Sequence, residues 1–200
     1  MKKLLVIFAI TLTIFPLPPA HAEAHFLATL AHVGSNLTAK APTTAQIEVG
    51  FSPDEGAEKL VLKAIGAART EIRVLAYSFT SAPITQALLA ARHRGVDVAM
   101  IVDHKNNIAE DRSSKAKHAL NALAYAGVRI RTISLYPIHH DKTLIVDGRH
   151  VETGSFNFSD AAAHRNSENV IVLWNHPELA QMCLRHWQDR FSRGQDYRPG

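Results

Sequence analysis

The residues best suited to chemistry are His140 and Lys142, which lie two positions apart in the segment IHHDKTLIVDG. An imidazole can attack phosphorus or transfer a proton, and an ammonium group stabilises negative charge on a phosphate. If the segment is a β-strand, the two side chains share a face and their backbones are about 6.6 Å apart, so both can reach one phosphate. His139 and Asp141 then point to the opposite face, which disfavours a metal site built from this histidine pair.

Short polar residues follow after a tight turn predicted at Asp147 and Gly148. The returning strand brings Gly154, Ser155 and Asn157 alongside the first strand, with Ser155 and Asn157 on one face. A glycine allows an anionic ligand to approach the backbone closely, and hydroxyl and amide groups can hydrogen-bond to it. We therefore expect these residues to complete a phosphate site.

Alternating strand and helix patterns must position these residues. Period-two alternation predicts strands in QIEVGFS, EIRVLAYSF and VDVAMIVD, and helical spacing predicts helices in EGAEKLVLKAIGAAR, ITQALLAARHR and KAKHALNALAYAG. Three more strands, KTLIVDG, HVETGS and ENVIVLW, precede a last helix in PELAQMCLRHWQDRFSRG. This order predicts an α/β fold, a layered α/β/α sandwich around a mixed, largely parallel sheet.

The N-terminus has the pattern of a secretory signal peptide. Lys2 and Lys3 precede the apolar run LLVIFAITLTIF, which is followed by prolines and the small-residue sequence AHA. These twelve apolar residues are fewer than the roughly 20 that span a bilayer. We predict a signal peptide over residues 1–22, a flexible lead-in over 23–45 and a single domain over 46–200. The mature protein is then expected in the periplasm or secreted, without stable membrane association.

Composition is compatible with this organisation. The 200 residues contain 46% hydrophobic side chains, enough for a buried core. The single cysteine, Cys183, excludes an intrachain disulfide, so packing alone must stabilise the fold. Loss of residues 1–22 would leave 20 basic and 18 acidic side chains. That balance allows a polyanionic partner without demanding one.

The spacing H-x-K-x4-D-x6-G-S-x-N over residues 140–157 resembles the signature of the phospholipase D superfamily. The similarity extends from about Val49 to the C-terminus. The sequence is similar to the small exported endonucleases of that superfamily, which carry one motif per chain and stay active in chelating agents. The resemblance implies a phospholipase D-like fold and cleavage of phosphodiesters, with no cofactor and no metal.

The resemblance also implies a role for the polar residues. His140 would attack phosphorus and form a phosphohistidine intermediate. Lys142, Ser155 and Asn157 would hold the non-bridging oxygens and stabilise the transition state. Glu168, in NSENVIVL, would orient the histidine ring by accepting a hydrogen bond from its other nitrogen.

Asp147 and Gly154 complete the motif, and the place of Asp147 at a strand end indicates a structural role. One motif supplies one histidine, whereas cleavage through a covalent intermediate needs a nucleophile and a separate proton donor. A symmetric homodimer would bring two copies of His140 together. One copy would then attack phosphorus while the other protonates the leaving oxygen.

The substrate is predicted from a charged loop, HKNNIAEDRSSKAKH, which follows a strand end where α/β sheets place ligands. We interpret its basic residues as a rim for the DNA backbone, and a solvated charged loop is the alternative. These residues are Lys105, Arg112, Lys115 and Lys117. We predict a non-specific endonuclease for single- or double-stranded DNA, and the sequence leaves RNA open. The alternatives are a phospholipid phosphodiesterase, which would need an apolar surface around the site, and a non-catalytic nucleic-acid-binding dimer.

Overall fold

The computed structural model describes residues 45–200, so the predicted signal peptide and nearly all of the predicted lead-in lie outside the described residues. The strands in this range are β1 (Gln46–Ser52), β2 (Glu71–Ala76), β3 (Asp97–Asp103), β4 (Arg129–Ile133), β5 (Lys142–Val146), β6 (His150–Gly154), β7 (Glu168–Trp174) and β8 (Gln195–Asp196). The α-helices are α1 (Ala57–Ala67), α2 (Ala82–His93), α3 (Lys115–Tyr125), α4 (Asp160–His164) and α5 (Pro177–Arg193). A π-helix spans Lys105–Ala109. None of the helices in this part of the chain is long and apolar enough to cross a membrane.

The strands form one sheet in the order β1-β7-β6-β5-β2-β3-β4-β8. The predicted α/β sandwich with a mixed sheet is confirmed, but its parallel part is smaller than expected. In residues 45–200 only β2–β3 and β3–β4 pair in parallel, and the other neighbours are antiparallel. Parallel pairs need a crossover, and the helices α2 and α3 provide one only for β2, β3 and β4, whereas a tight turn joins β5 to β6.

The two faces of the sheet are covered unequally. The helices α1, α2 and α3 pack on one face and bury the larger apolar core there. On the other face α5 packs against β2 to β6, where Trp187 donates a hydrogen bond from Nε1 to the Val74 carbonyl at 3.1 Å. One helix is too narrow to cover a sheet of this width. The edge strand β1 accordingly keeps three apolar side chains exposed, those of Ile47, Val49 and Phe51.

Candidate active site

His140 and Lys142 lie where β5 begins, at one end of the strands in the middle of the sheet. His140 is exposed in the loop before the strand, whereas Lys142 is the first strand residue and only 5% exposed. The Lys142 Nζ donates a hydrogen bond to the His140 carbonyl at 2.8 Å. Burial lowers the pKa of Lys142, and the carboxylates of Glu168 and Asp141 oppose that shift by favouring the charged ammonium. The site thus combines an open imidazole with a partly desolvated positive charge.

Ser155 and Glu168 meet directly in the structure. The Ser155 Oγ donates to Glu168 Oε2 at 2.6 Å and accepts the backbone N–H of Asn169 at 3.0 Å. The second carboxylate oxygen of Glu168 accepts a hydrogen bond from Asn166 Nδ2 at 2.9 Å. The Glu168 carboxylate is also close enough to Lys142 to favour its charged ammonium form. Four residues expected from the sequence therefore lie together at one end of the sheet: His140, Lys142, Ser155 and Glu168.

The ring next to His140 belongs to Tyr77, which the sequence did not single out. The two ring centroids are 4.6 Å apart. Glu168 was expected to orient the His140 ring, but in residues 45–200 its carboxylate is hydrogen-bonded to Ser155 and Asn166 and no hydrogen bond joins it to His140. The sequence feature that could have indicated Tyr77 is its position directly after β2, because functional residues of α/β sheets lie at the carboxyl ends of strands.

Asn157 and Gly154 flank the site for different reasons. The Asn157 Oδ1 is buried and has no hydrogen-bond partner within residues 45–200. Gly154 was expected to let an anion approach the backbone closely. In the structure it is the backbone of β7 that approaches Gly154 closely. A Cβ at position 154 would lie 2.1 Å from the backbone oxygen of Asn169. Only glycine therefore fits here.

Asp147 lies in the tight turn at the far end of β5, with a φ of 52°. At about 3.3 Å per strand residue it is roughly 16 Å from Lys142. Its carboxylate accepts the backbone N–H groups of Arg69, Thr70 and Glu71 at 2.8–3.1 Å. Burial raises the pKa of Asp147, but these hydrogen bonds outweigh burial and hold the pKa below its ordinary value. The geometry is that of a turn-forming residue, as its strand-end position indicated.

His139 is directed away from the reactive pair, onto the side of α5. Its Nδ1 lies 3.4 Å from Asp141 Oδ2, and the same carboxylate oxygen is 3.0 Å from His186 Nε2. Its backbone N–H donates to Asp103 Oδ2 at 2.8 Å. Burial lowers the pKa of His139. Within the described chain no group of three or more His, Cys, Asp or Glu side chains has the arrangement of a metal site.

The four basic residues predicted to form a DNA rim do not line one common surface. The Lys105 Nζ lies 3.6 Å from the Glu110 carboxylate, which offsets its charge. Lys115 lines an open groove of about 560 Å³ between α2 and α3. Lys117 lines a separate cavity of about 350 Å³, and Arg112 is exposed. The groove beside Lys115 is lined by His118 and His164 and also by the carboxylates of Glu58 and Asp160, so it carries groups of both signs.

Comparison with known proteins relates this geometry to a family. A family model described as "Cardiolipin synthase, PLD-like domain" matches residues 61–191. A protein named phospholipase D from Rickettsia bellii is 36% identical over 149 residues, which cover 74% of this chain and 71% of that protein. This chain belongs to the phospholipase D superfamily. It is an enzyme of that superfamily, as the motif spacing implied.

Solved structures share the fold of this phospholipase D superfamily member. The crystal structure of Nuc from Salmonella typhimurium, a phospholipase D family member, is 49% identical and has a TM-score of 0.74. The match covers 77% of this chain and 99% of that one. NucT from Helicobacter pylori matches with a TM-score of 0.66 at 21% identity, over 76% of this chain and 99% of its own. At that identity the likeness to NucT supports the fold alone.

Proposed function

We propose that this enzyme is a metal-independent DNA endonuclease that works through a phosphohistidine on His140. The observation that carries the proposal is the exposed His140 imidazole joined through its backbone to the buried ammonium of Lys142, at 2.8 Å. An open nucleophile beside a partly desolvated positive charge suits attack on a phosphodiester. Lys142 would stabilise the charge that develops on the non-bridging oxygens.

The reaction would proceed in two displacements. In the first, a His140 ring nitrogen forms a bond to phosphorus while the bond from phosphorus to one DNA oxygen breaks, and a second histidine gives that oxygen a proton. In the second, a water oxygen attacks phosphorus and loses a proton to the second histidine. The bond from phosphorus to the His140 ring nitrogen breaks, which frees the imidazole. The first step needs a neutral His140 and a protonated second histidine, and the second step needs that second histidine neutral, so that it can take the proton from water.

We propose that the second histidine is His140 of another copy of this chain. The surface for that copy is the β1 apolar face, formed by Ile47, Val49 and Phe51, which are 66%, 52% and 51% exposed. Phe51 pairs with Asn169 across β1 and β7, and the Asn169 N–H donates to Ser155. Phe51 is thus the end of the β1 apolar face nearest to Ser155, and we propose that a copy packed on this face brings its own His140 to the site.

We favour DNA as the substrate because His140 is exposed and open to a phosphate within a polymer, while the exposed Lys115 and Arg112 offer positive charges for further phosphates. A phospholipid is the second candidate, because Leu135 and Ile138, just before His140, are 57% and 53% exposed. Such apolar side chains beside the site suit a lipid surface. Membership in an enzyme superfamily leaves the non-catalytic interpretation without support.

Plasmid nicking in excess EDTA tests the proposal. The wild type should nick DNA, His140→Asn should lose that activity, and His93→Asn, which alters an exposed histidine on α2, should keep it. Nicking only after magnesium is added would refute the metal-independent mechanism. Parallel incubation with phospholipid vesicles, scored by headgroup release, decides between the two substrate classes.

Two measurements test the shared site. Val49→Asp, which places a charge on the β1 apolar face, should convert the dimer to a monomer in light scattering and abolish nicking. Co-refolding equal amounts of wild type and His140→Asn should leave about one quarter of the wild-type activity if both histidines serve one site. About one half would remain if each protomer acted alone, and that result would refute the shared site.

We also propose that the chain is exported and that residues 1–22 are removed. The twelve-residue apolar run after two lysines and the AHA sequence support this location. Expression in a bacterium, followed by periplasmic extraction and N-terminal sequencing, should give a chain that begins at Glu23. A full-length cytoplasmic product would refute it.

A further inference from the structure

The ring of Tyr77, the residue directly after β2, contacts both reactive groups of the proposed site. It lies 4.6 Å from the His140 ring, measured between centroids, with the ring planes inclined by 54°. The Lys142 Nζ lies 5.2 Å from the centroid of the same tyrosine ring. One aromatic side chain therefore separates and supports the imidazole and the ammonium.

The backbone of Tyr77 is held on both sides. Its N–H donates to the Asp141 carbonyl at 2.8 Å, and Asp141 is the residue between the two reactive side chains. Its own carbonyl accepts a hydrogen bond from Asn107 Nδ2 at 2.6 Å. The end of β2 that carries Tyr77 is thus hydrogen-bonded to the segment that contains His140 and Lys142.

The side chain of Asn107 holds the backbone of Tyr77 in place through hydrogen bonds. It is completely buried and lies in the π-helix, whose type of turn is frequent at functional sites. Its Oδ1 accepts the Phe79 N–H at 2.9 Å, and its Nδ2 also donates to the Asp103 carbonyl at 2.8 Å. The buried amide therefore links the ends of β2 and β3 and fixes the backbone that carries Tyr77.

We propose that Tyr77 is a positioning residue that holds His140 and Lys142 in their reactive arrangement, an inference that rests on the proposed role of His140. The face of an aromatic ring attracts an ammonium group, so Tyr77 holds Lys142 in place while phosphate binds. The same ring limits rotation of the imidazole, whose nitrogen must face phosphorus. Displacement of a reacting group by about 1 Å can reduce a rate about 100-fold. The aromatic ring, rather than the hydroxyl, carries this role.

The test compares Tyr77→Phe, Tyr77→Leu and His140→Asn with the wild type on bis(4-nitrophenyl) phosphate, a small diester that does not depend on DNA or lipid binding. Tyr77→Phe keeps the ring and should change kcat by less than about threefold. Tyr77→Leu should lower kcat about 10- to 100-fold while KM changes by less than about threefold, because positioning acts on the reacting groups more than on binding.

The outcomes separate this inference from the proposed function. Wild-type kcat in Tyr77→Leu, with His140→Asn inactive, overturns the positioning role alone. An equal loss in Tyr77→Phe and Tyr77→Leu also overturns it, because the hydroxyl would then be the important group. Full activity of His140→Asn refutes the proposed nucleophile and the inference together.

A spectroscopic measurement on folded protein keeps the inference testable if Tyr77→Leu is unstable. In proton NMR an aromatic ring this close to His140 changes the chemical shifts of the imidazole protons. The His140→Asn spectrum identifies these resonances, because they are missing from it. Tyr77→Phe should retain the displaced resonances, and a folded Tyr77→Met variant should lose the displacement. Unchanged His140 resonances in Tyr77→Met would overturn the inference.

Discussion

Glu152, in the middle of β6, carries a carboxyl group into the core of the protein. It is 1% exposed and lies between Leu144 and Val172 in the sheet register. Both neighbours belong to the apolar core under α1, α2 and α3. Neither carboxyl oxygen has a hydrogen-bond partner within the described residues. The charged form of this group is therefore poorly solvated.

The cost of that burial depends on pH. Burial raises the pKa of Glu152 from 4.5 to about 8, and the nearby backbone of Leu144 opposes only a small part of that shift. The folded state consequently binds the proton more tightly than the unfolded state does. The stability contributed by the neutral carboxyl is fully present below pH 4.5 and is lost as the pH rises towards 8. The loss is about 1.4 kcal/mol per pH unit in that window, or about 3 kcal/mol by pH 7.

Urea unfolding of the wild type and Glu152→Gln at a fixed protein concentration measures this effect. Glutamine has nearly the same shape but cannot ionise, so the free energy of unfolding of Glu152→Gln relative to the wild type should increase by about 3 kcal/mol between pH 5 and pH 8. Glu55→Gln, at an exposed position, is the matched control and should show no comparable slope. A difference between Glu152→Gln and wild type that stays constant from pH 5 to 8 would refute the buried, protonated carboxyl.

Two further predictions concern the residues that shape the ends of β5 and β6. Gly154→Ala should lower the free energy of unfolding by about 3 kcal/mol or more, because the Asn169 carbonyl occupies the space of the new Cβ. Gly66→Ala is its control: that helical position has open space, so a gain of about 0.5–1 kcal/mol is expected in the same thermal unfolding experiment. Asp147→Ala should cost about 2–4 kcal/mol at pH 7 through lost hydrogen bonds to a charged group. Because the pKa of Asp147 is lowered, that cost should shrink as the pH falls below 3.8, and an unchanged cost at pH 3 would contradict the assigned role.

The sequence was sufficient for the parts of the site that depend on local geometry. His140 and Lys142 lie close together because they are two positions apart where β5 begins. The turn at Asp147 and Gly148 follows from residue types that accept a positive φ. The alternation of helices and strands predicted the α/β class, since each pattern repeats within a few residues.

Tertiary structure alone decided which distant segments meet. The carboxyl end of β2 lies beside the start of β5 because those strands are antiparallel neighbours, and only that pairing places Tyr77 against His140. The partners of Glu168 and the burial of Glu152 likewise depend on the sheet order. A strand's residue pattern shows which side chains share a face, but the neighbours on that face come from remote parts of the chain. The packing of the whole sheet determines which residues become these neighbours, and local sequence spacing does not predict it.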